Sequence, residues 1–330
     1  TKAGNAILKE GEGLTQLQVE DGEISLRDAK ELCEQELFGQ FAGKWPLTKI
    51  LDIGGQVVET SFGTKEVPPI PAHVHYGDII DGKATKVGKK EAYFFPPLDV
   101  HPYNKELTGV ITRLGLKPAT TKEQFVEALK KFGKDDSMYE LLNVYPLQAY
   151  DCWTIQPGLV HAPGPWVTFE IQKPQDDYNL CCWKLGMRLD GDEHTKEHQE
   201  QFLRGLGSED DFIPEVVDWE GSIDLEFKKN HYHEANVIEE GDWGRRMQIF
   251  FDGFYGEAIE VNPGKMFTRQ ADEKPWAGIV WSGVGEINDM TIDCENQDRK
   301  EFLVTPKTVL FVNNMKSESK LLLYSVFPMA

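Results

Sequence analysis

Two short stretches of the chain carry residues able to do chemistry. One is Ala72-His73-Val74-His75-Tyr76-Gly77 with Gly88-Lys89-Lys90-Glu91-Ala92-Tyr93 after it; the other is Gln156-Pro157-Gly158-Leu159-Val160-His161-Ala162. They supply three imidazoles and one carboxylate: His73, His75, His161 and Glu91. On a strand, residues i and i+2 point to the same face, so His73 and His75 can reach one ion together. Glu91 opens an aromatic-rich run that reads as a later strand, and His161 follows a Pro-Gly turn that starts another. Neutral imidazole and carboxylate suit one divalent ion, with Zn²⁺ placed first and Fe²⁺, Mn²⁺, Ni²⁺ or Co²⁺ as alternatives. Four protein ligands still leave open positions on a five- or six-coordinate ion.

Lys89, two residues before Glu91, is an acid–base candidate, as a lysine beside a metal can be; the bland alternative is a solvated loop lysine, since Lys86 and Lys90 are close by. Glu170 alternates with Phe169 and Ile171, so on a strand it faces the opposite side, together with Gln172. A carboxylate inside a β-barrel there is a base or hydroxyl-binding candidate, set against a purely structural hydrogen bond. His194-Thr-Lys-Glu-His198 matches a zinc-peptidase spacing, but its acidic flanks have no apolar face, so it reads as a solvated helix. His231-Tyr-His233 is a second H-x-H pair, read as structural or surface. His101, before Pro102, is placed in a loop at the mouth of the first barrel.

The elements that must position these residues are mainly strands. Ser25 caps a helix in which Leu26, Ala29, Leu32, Cys33 and Leu37 recur at helical spacing. Residues 45–100 read as strands broken by Gly and Pro, and Thr121 to Phe132 as a second amphipathic helix. Met138 to Leu142 gives a short helical turn, and Tyr150 to Ile171 strands around Pro157-Gly158. Asp190 to Leu206 reads as a charged helix; after Phe212, short strands alternate with turn signals such as Asp252-Gly253 and Asn262-Pro263-Gly264. The expected fold is therefore mainly β, with two barrels: residues 1–190 with the ligand set and inserted helices, and 191–330 without a metal.

The 330 residues are 40 % hydrophobic and 27 % charged, an ordinary globular composition. A formal net charge of −20 makes nucleic acid an improbable partner, because phosphate backbones are repelled. No apolar run approaches membrane-spanning length, so no membrane partner is expected. Thr1-Lys-Ala-Gly-Asn5 is not an apolar secretory segment. The cysteines, Cys33, Cys152, Cys181, Cys182 and Cys294, are odd in number and lack a C-x-x-C spacing. A disulfide framework is not expected, and a reducing, cytoplasmic location fits.

These stretches resemble the cupin superfamily and, within it, the type I mannose-6-phosphate isomerases. Ile24-Ser-Leu-Arg-Asp-Ala-Lys-Glu-Leu32, Leu37-Phe-Gly39 and Trp45-Pro-Leu-Thr-Lys-Ile-Leu-Asp52 look like that family's first helix and core strand. Lys89-Lys-Glu91-Ala-Tyr93, Gln156-Pro-Gly-Leu-Val-His161-Ala162 and Phe169-Glu-Ile-Gln172 resemble its later motifs. The resemblance implies a bicupin of two jelly-roll barrels, one divalent ion on His73, His75, Glu91 and His161, and aldose–ketose isomerisation with Lys89 and Glu170 as proton-transfer candidates. The implied partner is a small sugar or sugar phosphate, with the chain acting as a monomer or homodimer. The sequence departs from the family at three places. His73 stands where Gln is usual, Pro71 where a phosphate-contacting Ser is usual, and Tyr178-Asn179 where Tyr-Arg is usual. Arg188 or Lys184 is a candidate replacement for the missing arginine. The departures leave open an isomerase or epimerase of an unphosphorylated sugar, a cupin dioxygenase using Fe²⁺, and a non-catalytic sugar-binding cupin.

Overall fold

A computed structural model describes residues 16–19, 22–43, 49–53, 58–59, 65–66, 69–75, 77–80, 83–100, 110–173, 179–186, 212–294, 301–315 and 317–328. Among the described residues every strand pair is antiparallel, and the chain divides into two compact units, one of Thr1–Asn5 with Thr48–Glu234 and the other of Ala6–Leu47 with Ala235–Ala330.

The first unit is built on two five-stranded sheets. One runs, in spatial order, Leu142–Pro146, Ile111–Leu116, His161–Ala162, His73–Val74, Asn179–Leu180. The other runs Tyr232–Glu234, Asp151–Ile155, Glu91–Phe94, Thr168–Gln172, Lys49–Ile53. The strands 91–94, 151–155 and 168–172 are buried along their whole length, as a sheet covered on both faces requires. Tyr93, Phe95, Leu114, Trp153, Ile155, Leu159 and Trp166 form one apolar cluster. A second cluster packs Phe125 and Leu129 against Val74, Val160 and Ala162.

The helices are local in origin. Ser25 accepts from the Asp28 amide at 3.0 Å and starts Leu26–Phe38. That helix kinks at Cys33, and the adjacent Leu32 is exposed instead of sharing the face predicted for it. Lys122–Leu129 opens with a full capping box between Thr121 and Gln124 and buries Phe125, Ala128 and Leu129.

The second unit pairs a six-stranded sheet with a four-stranded one around Ile259, Val261, Phe267, Trp276, Val280 and Leu323. Among the described residues no strand is shared between two sheets, so neither unit shows the closed barrel expected from the sequence. The architecture is mainly β, built of antiparallel sheets.

Between Phe212 and His231 the expected strands are replaced by three short helices, Phe212–Val216, Trp219–Ser222 and Phe227–His231. Asp218 explains one of them, since its carboxylate accepts from the Gly221 amide at 3.2 Å as an N-cap. All five cysteines are free thiols. No helix among the described residues is long and apolar enough to cross a membrane. The charged segment with His194 and His198, together with His101, Tyr178 and Arg188, lies outside the described residues.

Candidate metal centre

The sheet register brings the two sequence stretches together. His161 is directly opposite His73 on the adjacent antiparallel strand, so their side chains share a face. His75 is held just past the end of its strand by a 2.6 Å hydrogen bond from the Gly158 amide to its carbonyl. Gly158 belongs to a Pro-Gly turn closed by the Leu159 amide on the Gln156 carbonyl, and its φ of 86° favours glycine. A Cβ there would also come within 2.9 Å of Asp218 backbone nitrogen, so the turn that delivers His161 cannot accept a side chain without moving. Glu91 arrives from the other sheet. His73, His75, Glu91 and His161 are all buried, and their ligand atoms lie within 4.8 Å of one another.

The donor chemistry favours a cation. His73 Nδ1 is 2.7 Å from the Pro71 carbonyl oxygen, and His161 Nδ1 is 2.8 Å from that of Leu159. A carbonyl only accepts, so each Nδ1 carries its proton, and each neutral ring turns an Nε2 lone pair inward. Glu91 then meets these acceptors with acceptors of its own: Oε2 is 3.1 Å from His161 Nε2, and Oε1 is 3.0 Å from His75 Nε2. Converging lone pairs in a dry site call for a positive charge between them. Donors at about 2.2 Å from a shared ion are at most about 4.4 Å apart, and the spread of these four atoms is close to that limit.

Lys89 supplies part of that charge. Its Nζ is 2.9 Å from Glu91 Oε1 and 3.3 Å from His75 Nε2, reaching the same donor atoms an ion would use. Burial alone would raise the Glu91 carboxyl, but the neighbouring His75 and Lys89 hold it well below the usual carboxylate range. Burial drives His73 well below the ordinary histidine range, with His161 and His75 adding to the effect, and burial also lowers His161. Both rings are thus kept in the neutral, ligating form.

The sign of the resulting pH dependence follows. In the unfolded chain these histidines take up protons near about pH 6.5, whereas the folded sites resist them. Stability of the metal-free protein is therefore full above that pH and falls as the pH drops below it, towards the lowered folded values. Thermal melts of chelated protein at pH 7.5 and pH 5.5 should show the lower melting temperature at pH 5.5; equal values would refute the assignment of neutral rings.

The sequence reading overlooked Tyr93. Its hydroxyl donates to Glu91 Oε2 at 2.5 Å from the same face of the strand, two residues on. The i, i+2 spacing on a strand was the available signal. A hydrogen bond to a ligating carboxylate typically contributes 10- to 100-fold in metal affinity, so Tyr93→Phe should weaken metal binding by about tenfold or more, read by competition with a chromophoric chelator. Unchanged affinity would mean that the hydroxyl merely fills space.

Glu170 is buried on the neighbouring strand directly opposite Tyr93, on the face that carries Glu91. The second H-x-H pair lies apart from the cluster and within the first unit. His231 Nδ1 is 3.0 Å from the Thr154 carbonyl and its ring packs on Phe227, while His233 sits opposite Cys152 in the edge strand.

Two of the three positions that depart from the resemblance, Pro71 and Asn179, have structural partners. The Asn179 amide donates to the Val74 carbonyl at 3.1 Å, and the Pro71 carbonyl takes the His73 proton. Lys184 lies 6.0 Å over the Trp183 ring.

No protein-family model matches the sequence, and no curated protein matches it. Among solved structures the chain is similar to the mannose 6-phosphate isomerase of Bacillus subtilis, with 15 % identity and a TM-score of 0.56, over 98 % of this chain and 88 % of that one. It is also similar to a protein described as a mannosephosphate isomerase from Archaeoglobus fulgidus, with 15 % identity and a TM-score of 0.58, over 96 % and 84 %. At this identity the likeness establishes a common fold.

Proposed function

We propose that the chain is a metal-dependent aldose–ketose isomerase of the mannose-6-phosphate isomerase type, built as a bicupin with one ion in its first unit. The observation that carries the reading is the buried His73, His75, Glu91 and His161 cluster, with Lys89 against it, inside a fold shared with mannose 6-phosphate isomerase. When bound, the ion supplies positive charge that stabilises negative charge developing on the sugar oxygens.

The chain's own residues do the rest. An aldose becomes a ketose when a proton leaves C2 and one returns at C1, while the hydroxyl proton on O2 is given up and O1 gains one. Glu170 and Lys89 are the candidates for these transfers. Lys89 also keeps a cation beside Glu91 and His75 whenever the donors are exposed to each other. Trp153 and Ile155 are buried in an apolar cluster on strand Asp151–Ile155, with Ile155 directly opposite Glu91.

A second reading, an isomerase or epimerase of a free sugar, is favoured by Pro71 and Asn179. A phosphate dianion needs arginine, lysine or hydroxyl partners, and these two positions instead hold the His73 strand in place. The test is a panel of aldoses, free and 6-phosphorylated, assayed for ketose with each candidate metal. No ketose from any aldose would reject both readings. A kcat/KM for mannose 6-phosphate about 10³-fold above mannose corresponds to about 4 kcal/mol of phosphate recognition and would reject the free-sugar reading.

A further inference from the structure

Gln172 ends the strand Thr168–Gln172, and in the antiparallel register it stands directly opposite Glu91. Side chains at such a pair leave the sheet on the same face, with Cβ atoms about 5 Å apart. Gln172 therefore neighbours Glu91 on one side, as Ile155 does on the other. The residue is only 3 % exposed, yet its amide has no hydrogen-bond partner among the described residues. An amide offers two N–H donors and two acceptor lone pairs, and here they are open to an incoming group. Buried polar groups of this kind call for a partner, and the adjacent Glu91 carboxylate already faces His75, His161, Lys89 and Tyr93.

We propose that Gln172 is a substrate-binding residue that grips one hydroxyl of a polyhydroxylated substrate, next to the oxygens held at the metal centre. The proposal rests on the sugar-isomerase reading and deepens it. A sugar hydroxyl both donates and accepts, and a single amide matches both roles with its N–H and its carbonyl. A neutral amide does this without setting a like charge against Glu91 or a rival cation against the ion. The group selected is thus an uncharged hydroxyl, and the residue sets specificity by its presence.

The experiment uses the full chain loaded with Zn²⁺ and reads binding by calorimetry, without turnover. The probes are D-mannose, D-mannose 6-phosphate and the 2-, 3- and 4-deoxy analogues of mannose. In the wild type one deoxy analogue should bind about tenfold more weakly than mannose, the scale of one hydrogen bond. Gln172→Met keeps length and shape but removes the amide. It should bind mannose about tenfold more weakly and no longer distinguish that analogue, with metal content unchanged. Gln172→Asn is the milder companion variant; its amide is drawn back by about 1.5 Å, and it should lose the same discrimination.

Wild-type discrimination retained in either folded variant would overturn the proposal. So would an equal loss on every probe, metal loss on substitution, or failure of the wild type to bind any sugar. Sugar binding with the expected discrimination but no ketose formation would instead reject the isomerase reading and leave the Gln172 contact standing.

Discussion

Protein carrying His161→Ala will be recovered without its metal, and aldose turnover will fall by at least about 10³-fold, because the charge stabilisation lost with an ion is several kcal/mol. His161 is fully buried, its Nδ1 proton is fixed on the Leu159 carbonyl, and its Nε2 lies 3.1 Å from Glu91. No neighbouring side chain can swing in to replace it, since the adjoining positions on its strand are packed core. His75→Ala should behave in the same way. The control is His233→Ala, on the edge strand opposite Cys152, which should leave metal content unchanged. Elemental analysis after dialysis decides the matter: full occupancy in both His161→Ala and His75→Ala would remove the metal centre from this cluster, and loss in His233→Ala would point to the edge strand.

The second large effect separates proton transfer from metal holding. Lys89→Met and Glu170→Gln should keep their metal while turnover falls by about 10² to 10⁴-fold, the usual scale for a lost acid–base group. Lys89 supports this separation by its position. Its ammonium contacts the same Glu91 and His75 atoms that would hold an ion, so removing it takes away a competitor, not a ligand. Glu170→Gln is nearly isosteric and keeps a polar group opposite Tyr93, which protects the packing of that layer. Measured metal content together with kcat for each variant is the check. Unchanged turnover in both would assign Lys89 and Glu170 to structural hydrogen bonding.

Much of the centre was legible in the sequence because its geometry is local. The two-residue spacing of His73 and His75, the alternation that sets Glu170 and Gln172 apart from Phe169 and Ile171, and the Pro-Gly turn before His161 each encode an orientation within a few residues. The capping signals at Ser25 and Thr121 were legible for the same reason. What the sequence hid depends on pairing between distant segments. That Gln172 stands opposite Glu91 follows from a register between strands about 80 residues apart, which no local pattern reports. His231 and His233 looked like part of a second barrel, yet their segment pairs with Asp151–Ile155 in the first unit. The helices between 212 and 231 were missed because their hydrophobic residues are too few for a period to show, and caps such as Asp218 decide the outcome. Leu32 lies at the edge of the helical face, next to the kink at Cys33, and is exposed.

The order of segments along the chain has a consequence for how the protein is made. Apart from Thr1–Asn5, the unit that holds the cluster is a single stretch, Thr48–Glu234, whereas the other draws on Ala6–Leu47 and Ala235–Ala330. A ribosome therefore releases every residue of the cluster-bearing unit before the partner sheets of the other can begin to pair, and domains generally fold as units during synthesis. The Leu26–Phe38 helix must wait, already synthesised, for strands nearly two hundred residues later. Nor can one cut in the polypeptide isolate the second unit, because its parts are joined only through the first. The cluster-bearing unit can therefore mature before the last strands of the other have been made.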